Sequence, residues 1–290
     1  MDNHIEHNEI WQAAGFRSRR GEFDHEMAFE KFKKKTMQKH SRFSIRYLVI
    51  AASITAFFAF FSYRFGQQSV EHCFSDITIS VPAGSCIKTV LPDGTSVSLN
   101  SCSSITYSQG FGVKDRNIKM IGEGCFRVAH NEDIPFVVTG GSLEVEVLGT
   151  VFNYRDYPED AEATVSLSEG KISLRSVLSS NDGINYLSPG QSLVLDKENG
   201  SVSINSNDVA NSMLWIDGTL FFDELKLCDI ARKLERAYDV RITIESSELG
   251  AMRIYGAFMT KEQRIDDVLD ILSKTHHLHY RMSGNDYIIY

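Results

Sequence analysis

The side chains able to bind metal or catalyse are thinly scattered through the 290 residues. His276, His277 and His279 form the densest group of imidazoles. On an extended strand only His277 and His279 would share a face, and no carboxylate or thiol stands close in sequence to complete a ligand set. They read as polar strand residues facing solvent. Glu123 lies between Gly122 and Gly124, where it can orient a turn through backbone bonds, with no base and nucleophile arranged beside it. Asp93 and Gly94 are turn formers. No glycine-rich phosphate loop follows a strand and opens a helix. The residues therefore point away from a conventional enzyme, a cofactor and a metal.

Five cysteines, Cys73, Cys86, Cys102, Cys125 and Cys228, show neither a CxxC pair nor a histidine at zinc-finger spacing. An odd number leaves at least one thiol free or intermolecular. A hairpin turning near 111–114 would bring Cys102 and Cys125 roughly opposite one another, where a disulfide is sterically feasible; two unpaired buried thiols fit the same residues equally well.

These groups must be positioned by elements that the periodicity separates clearly. Residues 47–63, YLVIAASITAFFAFFSY, form an uninterrupted apolar stretch between Arg46 and Arg64. As a helix it rises ~25 Å, enough for one membrane crossing if the flanking arginines snorkel. Lys31, Lys33, Lys34, Lys35, Lys39, Arg42 and Arg46 precede it and only Arg64 follows closely, so the N-terminus is expected inside and all five cysteines in an oxidising compartment. The net charge of −8 and the lack of a basic stripe after Arg64 argue against nucleic acid as a partner.

Residues 1–46 are polar, with one amphipathic helical signal over 23–37 that sets Ala28, Phe29 and Phe32 on one side. A tether is expected over 64–76. From Ile77 the period becomes two, and short strands such as ITISV, SVSLN and PFVVT alternate with Pro-Ala-Gly, Pro-Asp-Gly and Asn-Glu-Asp turns, predicting an antiparallel all-β domain over 77–208. Beyond it an internal repeat of offset 38 relates Leu220, Leu227, Ile230 and Leu234 to Phe258, Ile265, Val268 and Leu272. It predicts a β-α-β-β-α-β domain over 214–290, with helices at 224–238 and 261–275 on one face of a single small sheet and 286–290 as its edge strand.

VPAGSCIKTVLPDGTSVSLNSCSSITY, GEGCFRV, PFVV, VLGTVFNYRDYPED and LSEGKISL, in this order, resemble the FecR family of anti-sigma regulators in its Bacteroidota form, and the terminal repeat resembles a secretin/TonB short N-terminal domain. The resemblance implies an inner-membrane, single-pass protein with a periplasmic C-terminal part. That part would receive the signalling domain of a TonB-dependent outer-membrane transporter, and the cytoplasmic segment would regulate an extracytoplasmic-function sigma factor. AFEKFKKK, which includes Ala28, Phe29 and Phe32, resembles the end of the sigma-binding region. In some members of the family the β domain cleaves itself at a Gly-Thr bond and membrane proteases follow; the matching bond here is Gly149-Thr150, where a turn or bulge glycine beside a strand-forming threonine is the structural reading. The other function class compatible with so short an interior segment is a membrane-tethered periplasmic assembly module without sigma binding.

Overall fold

The computed structural model describes residues 25–37, 41–72, 76–178, 183–206, 209–276, 278–284 and 286–290. The chain divides into two compact units, Met1–Cys73 and Phe74–Tyr290.

The first unit contains helix α1, His25–Met37, and helix α2, Ser41–His72. Within α2, Tyr47–Arg64 is long and apolar enough to cross a membrane. Two of its hydroxyls turn inward on their own helix: Ser53 Oγ donates to the Val49 carbonyl at 2.8 Å and Thr55 Oγ1 to the Ala51 carbonyl at 3.0 Å. That leaves an apolar exterior of Leu48, Ile50, Ile54, Phe57, Phe58 and Phe61, all exposed. Hydroxyls satisfied within the helix suit a solvent that offers no hydrogen bonds.

The second unit begins with thirteen strands: β1 (Ile77–Ser80), β2 (Ile87–Val90), β3 (Ser96–Leu99), β4 (Ser104–Tyr107), β5 (Asn117–Arg127), β6 (Phe136–Thr139), β7 (Leu143–Val147), β8 (Val151–Asp156), β9 (Glu162–Glu169), β10 (Ile172–Ser176), β11 (Asn185–Leu187), β12 (Ser192–Asp196) and β13 (Val202–Asn205). Strand β5 organises them. The sequence suggests separate strands at NIKMI and FRVAH, but β5 runs unbroken through GEGC. Its first half pairs with β4 and β6, and its second half with β3 and β8. The bend falls at Gly122, whose φ of +94° puts any Cβ within 2.4 Å of Ser103 Oγ; glycine alone fits there. One sheet runs β1-β4-β5-β6-β7-β10-β11, the other β2-β3-β5-β8-β9-β12-β13. Alternate residues of both, including Val97, Leu99, Phe126, Phe136, Phe152 and Leu193, close on a single apolar core.

A 3-10 helix, Val209–Asp217, leads into β14 (Thr219–Lys226), α3 (Leu227–Tyr238), β15 (Arg241–Ile244), the short α4 (Ser247–Gly250), β16 (Arg253–Met259), α5 (Ile265–His276), β17 (Tyr280–Ser283) and β18 (Asp286–Ile289). The repeat is present, but its strands form two small sheets instead of one. The first strands of the two copies pair antiparallel, with Leu220 facing its repeat partner Phe258. The second strands, β15 and β17, flank β18. The terminal strand therefore lies at the centre of its sheet and not at its edge. Tyr287 and Ile289 thereby reach the core shared by Leu227, Ile230, Leu234, Val268 and Leu272, the apolar stripes of α3 and α5.

Candidate functional site

The candidate functional residues fall on three surfaces. On α1, Phe29 and Phe32 are 67% and 68% exposed among lysines, so the helix presents aromatic side chains to its surroundings. Ala28 shares that helix.

Gly149 and Thr150 enter β8 where three segments converge. Val128 N donates to the Thr150 carbonyl at 3.0 Å, and Asn131 N to the Leu148 carbonyl at 2.9 Å. Thr150 is 4% exposed, and its hydroxyl donates to the Lys171 carbonyl at 3.1 Å. A Cβ on Gly149 would fall 2.6 Å from His130 Nδ1. A Cβ on Gly170, whose φ is +94°, would fall 2.8 Å from Thr150 Oγ1 and 3.0 Å from the Gly149 carbonyl oxygen. Two glycines thus permit an approach that any side chain would block. His130 itself is exposed and lies 3.4 Å from Glu132.

Of the two readings open for Cys102 and Cys125, the structure has the unpaired one. Cys86, Cys102, Cys125 and Cys228 are free. Cys125 faces Ser98 on one side and Asn153 on the other, because β5 has left β4 for β3 by that point. Cys102 sits in the intervening turn with φ +57°. Burial raises the Cys125 thiol to about 11 and also raises that of Cys102, so both are held protonated at neutral pH. Cys73 and His277 lie outside the described residues. The His279 ring lies 6.0 Å from that of Tyr290.

The third surface is the seam between the β-strands and α3, which nothing in the sequence periodicity marks. Arg236 of α3 is buried. Its Nη1 donates to Glu159 at 2.7 Å and Asp160 at 3.0 Å, and its guanidinium lies 3.8 Å from the centre of the Tyr157 ring. Its carbonyl accepts from Gly84 N at 2.8 Å. Beside it, Glu123 accepts from Asn100 at 2.8 Å and Asn153 at 3.0 Å, and the Trp215 indole donates to Asn153 at 3.1 Å. Glu123 thus acts through its carboxylate on side-chain amides. These groups line a cavity of about 110 Å³.

Arg116, which the sequence reading did not single out, is 1% exposed. It donates to the carbonyls of Ala129, Asn131 and Ile134 and pairs with Asp93 at 3.3 Å. Asp93 also accepts from Thr95 N at 2.9 Å, so the LPDGT turn is tied to the loop that carries His130.

Residues 77–173 match the family model "FecR protein", and residues 219–289 match "FecR, C-terminal". No curated protein matches. Two crystal structures of a candidate anti-sigma factor from Parabacteroides distasonis ATCC 8503 are similar. One is 28% identical with a TM-score of 0.68 and covers 74% of this chain and 98% of its own. The other is 27% identical with a TM-score of 0.69 and covers 74% of this chain and 99% of its own. Matches of both models, in order and on either side of the seam, together with this structural likeness, place the protein: the chain belongs to the FecR family.

Proposed function

We propose that the protein is an inner-membrane anti-sigma factor. Its N-terminal segment faces the cytoplasm and holds an extracytoplasmic-function sigma factor, and Phe74–Tyr290 is periplasmic and receives the signalling domain of a TonB-dependent outer-membrane transporter. The observation that carries this reading is the exposed Phe29 and Phe32 on a lysine-rich helix, followed by a helix whose Ser53 and Thr55 hydroxyls are bonded inward. Phe29 and Phe32, largely exposed on one helix, offer apolar surface that a partner can bury. The basic residues before Tyr47 favour the inward orientation, and the two P. distasonis structures are described as those of a candidate anti-sigma factor.

On the other side, β14 and β16 pair only with each other among the described strands, so the ribbon offers open edges to an added strand. The protein works through contacts and not through turnover of a substrate. Recovery of a sigma factor on residues 1–46, reduced at least tenfold by Phe29→Ala with Phe32→Ala, is the expected result. Failure to recover one, under conditions that recover the partner of a longer relative, overturns the reading in favour of a tethered assembly module.

A single self-cleavage at Gly149-Thr150 is a second, separable reading, favoured by the glycine-lined convergence around that bond. The Thr150 hydroxyl would attack the Gly149 carbonyl and pass its proton to the departing Thr150 nitrogen, giving an ester that water then hydrolyses. The expected result is two fragments on a denaturing gel, abolished by Thr150→Ala. A single intact band from induced cells sinks it.

A further inference from the structure

We propose that His130 carries the proton in the cleavage of the Gly149-Thr150 bond, taking it from the Thr150 hydroxyl and delivering it to the Thr150 nitrogen. This rests on the self-cleavage reading and assigns its base. The imidazole is held against the bond itself. A Cβ on Gly149 would fall 2.6 Å from His130 Nδ1 and 2.9 Å from its Cα and Cβ, so His130 occupies the space that a side chain would fill. By bond lengths alone, Nδ1 then lies no more than about 5 Å from the Gly149 carbonyl carbon.

Register explains the approach. Val128 N donates to the Thr150 carbonyl and Asn131 N to the Leu148 carbonyl, which brackets His130 against Gly149. Between those two bonds, the Gly149 carbonyl and the Thr150 N–H have no backbone partner among the described residues. A peptide resists leaving its plane, and more so when a ladder holds both its ends; this one is free to take the tetrahedral geometry of acyl transfer.

The imidazole belongs to no core. It is 67% exposed, and its Nε2 lies 3.4 Å from Glu132 Oε1. An Nε2–H directed at Glu132 leaves the lone pair on Nδ1, the nitrogen beside Gly149. A base oriented by a carboxylate and set beside a hydroxyl nucleophile is the arrangement that activates such hydroxyls in general. Lys171 offers Thr150 only its carbonyl, at 3.1 Å, which is too weak an acceptor to take the proton away.

The step balances. Thr150 Oγ1 turns from the Lys171 carbonyl to the Gly149 carbon and forms the C–O bond as Nδ1 accepts its proton. The C–N bond then breaks and Nδ1 returns the proton to the nitrogen, leaving a Gly149 ester on Thr150 for water to hydrolyse. Gly170 is exposed beside the Gly149 oxygen and leaves the way open to that water.

The test is cell-free synthesis of the full chain into non-ionic detergent, with fragments followed in time on denaturing gels. The unmodified chain is expected to split in two, Thr150→Ala to stay intact, and His130→Ala to split about a hundredfold more slowly. His130→Gln, of similar volume, is expected to be as slow. Added imidazole is expected to restore cleavage in His130→Ala, where the side chain's place is open to solvent, and not in Thr150→Ala. An unchanged rate in either His130 variant, or a slow His130→Ala that imidazole does not restore, overturns this proposal and leaves self-cleavage standing. An unmodified chain that stays intact overturns both.

Discussion

Arg236 concentrates several roles in one side chain. It is 8% exposed, bonded to two carboxylates and stacked on Tyr157, and so it holds α3 to the turn after β8. Removing it takes the short charge contact from Asp160, which keeps only longer ones to Arg155 at 4.0 Å and Arg232 at 3.9 Å, and exposes the Tyr157 face, whereas a lysine would supply charge without the planar fork or the stacking surface. Arg236→Ala is expected to cost about 3 kcal/mol of stability, with Arg236→Lys recovering less than half. Thermal unfolding of the detergent-solubilised chain measures both. At the same scale, the sequence left Cys102 and Cys125 open between a disulfide and two free thiols, and strand register places them apart. Ser98, and not Cys102, stands across from Cys125.

Among the elements, α2 carries the clearest physical instruction. Tyr47–Arg64 is long and apolar enough to cross a membrane, its Ser53 and Thr55 hydroxyls are bonded to its own carbonyls, and a charge at its centre tests the crossing. Phe58→Arg is expected to cost about 3 kcal/mol of insertion and to reduce the activity of a phosphatase fused after Tyr290, which reports export. Unchanged fusion activity would count against the crossing. The repeat elements were legible as helices and strands because their stripes follow periods of 3.6 and 2. Their pairing was not. Leu220 and Phe258 are apolar and spaced for strands whether their strands join one sheet or two.

At the scale of the whole molecule, Phe74–Tyr290 forms one compact unit although its β-strands and repeat have separate apolar cores. The seam of Arg236, Glu123 and Trp215 joins them, so the two parts should unfold together. In a Trp11→Phe background, Trp215 fluorescence, which senses the seam, and far-UV circular dichroism are expected to follow the same denaturant transition. Two separated midpoints would show that the seam is weak.

By itself the sequence determined the apolar helix, the alternation of the β region, the terminal repeat and the order of family motifs, because each is written in the spacing of neighbouring residues. Only the tertiary structure decided the bend of β5, the central place of β18 and the meeting of His130 with Gly149. These depend on residues far apart in the chain, brought together by register and by burial, and no local period records which distant partner a strand or a charge will meet.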